Sequence, residues 1–533
     1  MDDPRAKQAN YVLTALDRFA EYGEREAIVS PERSMTYADL CRETLALAAV
    51  LRRRGIPAGA AIAILAGNRP ETMTVQFAAH LLGCRTVWIA GYTPIREQHD
   101  YLARAKTDYF IYDTMFYAER GAELAKLCPD GTVFCLGADG LGPDLLEPLP
   151  TDAMGMAALL VDGSAEITAL TADVVTAPQS VFYTGGTTGS PKLVLHEHRF
   201  FLALLAIGAA WLASGAPALR HLAVTGFQHV SGQMTNLLML FTGGVVVLRN
   251  PMDPATLLEV IEQERIMSTL VTPVQLYNLL DHPATETADL SSLLLLNVGG
   301  GPVFPTRLRQ AVERFGPRMR MTYGLSEASF ITEYRGVPLD PEHPERLRSC
   351  GYVFADSRVE IRGEHGAPLP AGEIGEVWTA GSLVMSGYWD DPELTGETLV
   401  DGWLRTGDLG YLDSDGFLYL VDRSKDMIVT GLGALNVFSK PVEDALASHP
   451  QVRLASVIGV PDAEIGEAVY AYVVTTLDAT VTEAELRALV TEELSDYQAP
   501  RTVEFVDTLP LTGMGKVDKK ALRARHVISA ELQ

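Results

Sequence analysis

The chain has 533 residues, 47% hydrophobic and 21% charged, with a formal charge of −25 at pH 7. That length exceeds what one hydrophobic core supports, so two or more domains are expected. So acidic a surface argues against nucleic acid and anionic membranes as main partners, while a local pocket can still hold an anionic substrate. The five cysteines, Cys41, Cys84, Cys128, Cys135 and Cys350, show no C-x-x-C spacing. They suit neither a disulfide framework nor a zinc site and point to the reducing cytoplasm. Met1 to Asn10 is polar and lacks the apolar stretch of a signal peptide.

In chain order, Tyr37 to Arg54 has helical apolar spacing, Ala61 to Leu65 reads as a short buried strand, Glu71 to Leu82 as a helix and Thr86 to Ile89 as a strand. Short buried strands between helices imply an α/β fold with parallel sheets. Phe200 to Leu219 is uncharged over about a membrane-spanning length. It is rich in Ala and contains Gly208, Gly215 and Pro217, so it is expected to be a buried helix ending in a turn, with no integral membrane association. The alternation resumes through Leu222–Val224, Val245–Leu248, Leu257–Glu264, Ser268–Val271 and Leu293–Val298. After about Glu342, short strands at Val359–Arg362, Gly375–Thr379, Gly410–Leu412 and Phe417–Val421 sit among Gly- and Asp-rich turns, suggesting a β-rich subdomain. From Asp426 a compact α+β pattern follows: helix Val442–Ser448, strands Val452–Val460 and Glu467–Val474, helix Glu483–Leu494. The expected division is a large N-terminal domain over 1–424, its β-rich part spanning about 342–424, and a small mobile C-terminal domain over 425–533.

The strongest local signal is Tyr183-Thr184-Gly185-Gly186-Thr187-Thr188-Gly189-Ser190-Pro191-Lys192, between the strand-like runs Ser180–Phe182 and Leu193–Leu195. Glycines let backbone N–H groups turn inward, hydroxyls add donors, and Lys192 adds a cation; all suit phosphate oxygens. Pro191 before the lysine separates this loop from a Walker A loop. Further along stand Val298-Gly299-Gly300-Gly301-Pro302, Thr322-Tyr323-Gly324-Leu325-Ser326-Glu327, Thr406-Gly407-Asp408, Asp422-Arg423-Ser424-Lys425-Asp426 and Gly513-Met514-Gly515-Lys516-Val517.

In this order, and over nearly the whole chain, these six segments resemble the adenylate-forming superfamily of acyl- and aryl-CoA ligases, luciferases and nonribosomal adenylation domains. The resemblance implies ATP and Mg²⁺ as requirements, with CoA a possible acceptor. It implies that Thr184, Gly185, Gly186, Thr187, Thr188, Gly189 and Lys192 hold phosphate and that Gly300, Gly301 and Pro302 pack on adenine. Tyr323, Gly324 and Ser326 line the nucleotide site, and Asp408 and Arg423 take the ribose. Glu327 and Thr187 are implied as Mg²⁺ ligands, Lys516 as the lysine bridging substrate carboxylate and α-phosphate, and Lys425 as the hinge. Charge that builds on phosphoryl oxygens during attack would be met by these cations and donors.

His229, in Gly226-Phe227-Gln228-His229-Val230-Ser231-Gly232, corresponds to a histidine or aromatic that the family carries near the substrate carboxylate; a histidine among apolar residues is equally often a core group. Phe227, Gly324 and Phe330 are candidates for an apolar substrate pocket or for the core. Two departures from the family pattern stand out. Gly185 and Leu193 replace a usual Ser and Gly. After the hinge, Gly431-Leu432-Gly433-Ala434-Leu435-Asn436-Val437-Phe438-Ser439-Lys440-Pro441-Val442-Glu443 is about two residues longer than usual, with Ser439 at a usual Pro and Pro441 at a usual Glu. In CoA ligases this loop serves thioester formation, so the change bears on the acceptor, unless it is a tolerated surface insertion. The expected function is ATP-dependent activation of a small acid, with CoA the first-choice acceptor. The alternatives are transfer to an amine or carrier protein, diazotase-like activation of nitrite for an arylamine, and a non-catalytic nucleotide-binding protein.

Overall fold

The computed structural model describes residues 10–129, 131–137, 140–141, 171, 174, 176–184, 192–250, 252–336, 342–431, 435–512 and 515–530. Helix starts are set by local chemistry. Thr36 and Asp39 form a reciprocal capping box before the helix Tyr37–Arg53, and Thr272/Gln275 and Thr482/Glu485 do the same before Pro273–Asp281 and Glu483–Glu493. Proline opens Pro70–Leu81, Pro254–Gln263 and Pro305–Phe315, where its missing N–H costs nothing.

Two large sheets form from these units. In the eight-stranded sheet, Val133–Gly137, Tyr109–Asp113, Ala61–Leu65, Arg85–Trp88 and Gln179–Thr184 run parallel side by side, and Lys192–Glu197 returns antiparallel to the last of them. In the fourteen-stranded sheet, Glu26–Val29, Val245–Leu248, Arg220–Ala223, Ser268–Val271, Leu295–Gly299 and Met319–Tyr323 form a parallel array. The later strands do not make a sheet of their own. Ser349–Val353 pairs with Thr332–Arg335 on one side and Leu418–Arg423 on the other, so the β-rich stretch extends the same ladder.

One apolar core takes Ile62, Ile64, Trp88 and Phe182 from the first sheet, Ile28, Ala223 and Val246 from the second, and side chains from helices Tyr11–Tyr22, Tyr37–Arg53, Pro70–Leu81, His198–Ala213 and Val230–Phe241. Those helices therefore fill the space between the sheets. His198–Ala213 is the uncharged segment noted above. Phe200, Phe201, Leu204 and Leu205 are buried, whereas Leu202 and Leu212 are each 40% exposed, so one face meets solvent instead of the whole helix being enclosed. Among the described residues no helix is long and apolar enough to cross a membrane.

The C-terminal unit has its own core around Ile428, Val442, Val457, Val473 and Val490. It is built on antiparallel Val452–Asp462 and Gly466–Thr475, with Thr502–Phe505 added in parallel. Its first helix, Ser439–Leu446, begins three residues before the expected start at Val442. Pro441 reads as a breaker in sequence, but it falls in the first turn, where N–H groups have no helical partner. This unit docks on the larger one through Arg453 with Asp281 (2.8 Å) and Asn278 (2.7 Å), and through the Thr306 hydroxyl donating to the Ala447 carbonyl (3.0 Å).

Candidate active site

Parallel strands end their carboxyl termini along one edge, and loops leaving that edge make clefts for ligands. Here Arg85–Trp88 and Gln179–Thr184 are neighbours, so residues 89–94 and the loop after Thr184 leave the first sheet together. From the second sheet, Ala223, Gly299 and Tyr323 lead into the segments carrying His229, Gly300 to Pro302 and Gly324 to Glu327. Five segments scattered over the sequence are thereby collected.

Thr184 faces Lys192 across the hairpin, so the lysine stands at the mouth of the glycine-rich loop. Gly185, Gly186, Thr187, Thr188 and Gly189, and with them the hydroxyl expected to help hold Mg²⁺, lie outside the described residues. The Lys192 ammonium donates to the Tyr388 hydroxyl oxygen (3.3 Å), which itself donates to the Glu327 carboxylate (3.0 Å). Tyr388 is in this position because Gly387–Tyr388 adds to the edge of the Lys192–Glu197 strand, with Tyr388 opposite Val194. Nothing local in the sequence marks Tyr388; only sheet pairing brings it in.

The segment Ser326-Glu327 is held by its backbone. The Ser326 carbonyl accepts from His196 Nε2 (2.8 Å) and the Glu327 carbonyl accepts from the Met385 N–H (2.7 Å). Gly324 is required by close approach: a Cβ there would sit 2.4 Å from the Ser329 carbonyl oxygen. Asp408 and Arg423 face each other on paired strands, and the Arg423 Nε donates to Asp408 (3.1 Å) while the Tyr323 hydroxyl donates to its other oxygen (2.7 Å). Burial opposes the Arg423 charge, but Asp408 and Asp426 more than offset it and raise its pKa.

Lys516 reaches this cleft from the C-terminal unit. Its Cε lies 3.5 Å from where a Gly300 Cβ would be, and Gly300 itself has a φ of 89°. Burial and then the Arg423 charge draw the Lys516 pKa down to about 8, against the opposing pull of Asp408 and Glu327. His229 is 9% exposed, and burial followed by the Lys516 charge lowers it to about 4, so the imidazole is neutral. Lys425 follows the strand that ends at Arg423; burial and Arg423 lower it to about 8, and Lys192 adds to the effect. Lys192, Lys425, Arg423 and Lys516 thus surround Glu327 and Asp408.

Phe227 is 1% exposed within the central core, and Phe330 packs edge-to-face on Phe354 at 4.7 Å. Gly301 lies against Pro273, and Pro302 is exposed. Beyond Lys425, Leu432 to Ala434 lie outside the described residues, while Ile428–Thr430 and Leu435–Val437 pair as a hairpin. Ser439 donates its backbone N–H and its hydroxyl (3.1 Å) to Asp422, and Lys519 donates to the same hydroxyl oxygen (2.6 Å) and to buried Glu443 (2.8 Å). A proline at 439 could make neither bond to Asp422.

The AMP-binding enzyme family matches residues 16–389, and the AMP-binding enzyme C-terminal domain matches 441–516. The chain belongs to this adenylate-forming family. It is an AMP-forming ligase, an enzyme that uses ATP to activate an acid before passing it to an acceptor. Among curated relatives, a medium/long-chain-fatty-acid–CoA ligase of Mycobacterium tuberculosis is 38% identical, covering 88% of this chain and 82% of its own. Feruloyl-CoA synthase of an Amycolatopsis species is 34% identical over 92% of this chain and 94% of its own. Among solved structures, the amide bond synthetase McbA of Marinactinospora thermotolerans has a TM-score of 0.84 at 34% identity, covering 96% of this chain and 99% of that one. ATP-bound MatB of Rhodopseudomonas palustris has a TM-score of 0.79 at 25% identity, covering 96% and 98%.

Proposed function

We propose that this ligase activates a carboxylic acid as its acyl-adenylate and passes the acyl group to CoA, with Lys516 and Lys192 as the paired cations of the first step. The observation that carries this reading is the presence of both lysines, from separate units of the chain, around Glu327 in one cleft. Attack of the carboxylate on the α-phosphorus forms one O–P bond and breaks the bond to pyrophosphate. Charge gathers on the α-phosphoryl oxygens and on the leaving group, and fixed cations at both ends lower that barrier. In this scheme Lys516 bridges the carboxylate and α-phosphate, Lys192 and the loop 185–189 take the outgoing phosphates, and Gly300 to Pro302, Tyr323, Gly324 and Ser326 hold the base. Asp408 and Arg423 take the ribose diol.

Mg²⁺ suits the residues present. It binds through one or two carboxylates plus phosphates and water rather than an all-protein cage. Glu327 offers one carboxylate at the cleft, and the described residues include no cluster of three or more metal-binding side chains. When bound, the ion neutralises phosphate charge. The chain's free cysteines fit work in the reducing cytoplasm.

A second reading makes an amine the acceptor. It draws support from the likeness to an amide bond synthetase and from the Ser439–Asp422 contact, which ties the C-terminal unit across the hinge at a position where relatives are expected to carry proline. Lys425 would be the pivot for either acceptor. The test is pyrophosphate release across a panel of fatty, aryl and heteroaryl acids, followed by product analysis with CoA, with amines, and with nitrite plus an arylamine. Acid-dependent pyrophosphate release with thioester only in the presence of CoA supports the first reading. Amide formation without CoA selects the second, and nitrite-dependent turnover displaces both.

A further inference from the structure

The His229 imidazole has no hydrogen bond to either ring nitrogen among the described residues, and it makes no capping bond to the helix Val230–Phe241 that it precedes. What meets it is Tyr92, whose ring lies nearly parallel at 20° with centroids 5.8 Å apart. The two come from different sheets: Tyr92 from the loop after Arg85–Trp88, His229 from the segment after Arg220–Ala223. Their stack spans the cleft near the strand Gln179–Thr184.

The loop that carries Tyr92 is braced by its neighbours. Gln98 Nε2 donates to the Ala90 carbonyl (2.7 Å), Arg120 braces Gln98 (3.2 Å), and the Thr93 hydroxyl turns back to Ala90 (2.9 Å). Gly91 lets the loop lie against the Tyr117 ring, where a Cβ would sit 2.3 Å from a ring carbon. The Tyr92 side chain is open to solvent, with the residue 44% exposed, yet crowding by neighbours pushes its phenol up to about 12. A group both exposed and surrounded is the wall of a cleft. Tyr183, at the root of the phosphate loop, is close enough to feel it electrostatically, and is itself tethered to Glu97 (2.7 Å).

We propose that Tyr92 is a positioning residue that fixes the His229 ring over the acid pocket, so that it governs binding of the acid rather than of ATP. This rests on the proposed acid activation together with the family resemblance, which puts His229 near the substrate carboxylate. A neutral imidazole has one donor and one acceptor nitrogen. Which of them meets the carboxylate depends on ring rotation, and the stack restricts that rotation. The phenol hydroxyl is not needed, only the ring.

The experiment measures pyrophosphate release with an acid found active in the panel, for wild type, Tyr92→Ala, Tyr92→Leu, Tyr92→Phe, His229→Ala and the double variant His229→Ala/Tyr92→Ala. An aromatic pair contributes about 0.5–1.5 kcal/mol, or roughly 2- to 12-fold. The expected result is a rise of that size in KM for the acid in Tyr92→Ala and Tyr92→Leu, an unchanged KM for ATP, recovery in Tyr92→Phe, and no further effect of losing Tyr92 once His229 is absent. Should Tyr92→Ala fail to fold, Tyr92→Leu carries the same comparison. Wild-type acid KM in both truncations, loss in Tyr92→Phe, equal shifts for ATP and acid, or an additive double variant would each overturn the assignment. A His229→Ala enzyme with unchanged acid KM identifies the failure as one of the underlying site reading.

Discussion

Replacing Lys516 by alanine removes one cation from a cleft in which Glu327 and Asp408 pull on its charge. Loss of a single oriented donor to a developing oxyanion costs about 100- to 1,000-fold in rate, roughly 2.7–4 kcal/mol. Lys516 is half-buried, so water replaces it only in part, and a loss within that range is expected. The same lysine sets a pH limit. With a pKa of about 8 in the free enzyme, most of it is charged at pH 7, and kcat/KM for adenylation should fall as pH rises through about 8. Bound ATP adds negative charge and favours the ammonium, so the corresponding limb in kcat should lie higher. The assay is acid-dependent ATP–pyrophosphate exchange over pH 6 to about 10, with transfer from supplied acyl-adenylate to the acceptor measured alongside. Lys516→Ala should lose exchange and its basic limb while retaining transfer. Exchange within about 10-fold of wild type, or a basic limb that survives the substitution, would refute the assignment.

Other outcomes follow from the same geometry. Tyr388→Phe removes the hydroxyl between Lys192 and Glu327 and should lower exchange about 10-fold or more, as expected for a bond to a charged group; unchanged exchange would show that the relay is dispensable. Asp408→Asn should raise KM for ATP and lower thermal stability together, because Arg423 and Tyr323 both lose a carboxylate partner; a KM change without a melting shift would count against this coupling. Burial lowers His80 to about 3 and His196, His221 and His229 to about 4, so the unfolded chain binds protons that the folded one refuses. Stability should therefore fall as pH drops from about 6.5 to about 4, by up to about 1.4 kcal/mol per pH unit for each histidine; flat unfolding midpoints across that window would contradict the neutral assignments.

The parts of this protein that were legible in the sequence are those whose physics is local. Ala61–Leu65 and Val245–Leu248 emerge with the bounds that their unbroken apolar runs indicate, because a strand covered on both faces tolerates no polar alternation, and Ser268–Val271 emerges as expected although it opens with two hydroxyl residues. The glycine- and hydroxyl-rich loop stood out through residue type, whereas Asp408, Arg423 and Lys516 were singled out by the resemblance to the family's ordered motifs. What was hidden depends on pairing across long separations. Tyr388 enters the site because a two-residue strand joins the edge of Lys192–Glu197, and Tyr92 because strands from two sheets point their ends at one cleft. Neither residue type nor spacing encodes that. The post-hinge loop marks the boundary between the two cases. Its departure from the family pattern is visible as Ser439 in place of proline, but the consequence appears only when Asp422, Ser439 and Lys519 are seen to meet. Hydrogen bonds to a charged carboxylate contribute about 1.5–3 kcal/mol each when well formed. Even a part of that, spent in only one orientation of the C-terminal unit, shifts the balance between two orientations by several-fold. Ser439→Pro should therefore raise the rate of acyl transfer relative to adenylation if rotation about Lys425 separates the two steps. If both steps occur in the orientation described here, the same substitution should slow them together, and single-turnover measurements of adenylate formation and decay distinguish the two.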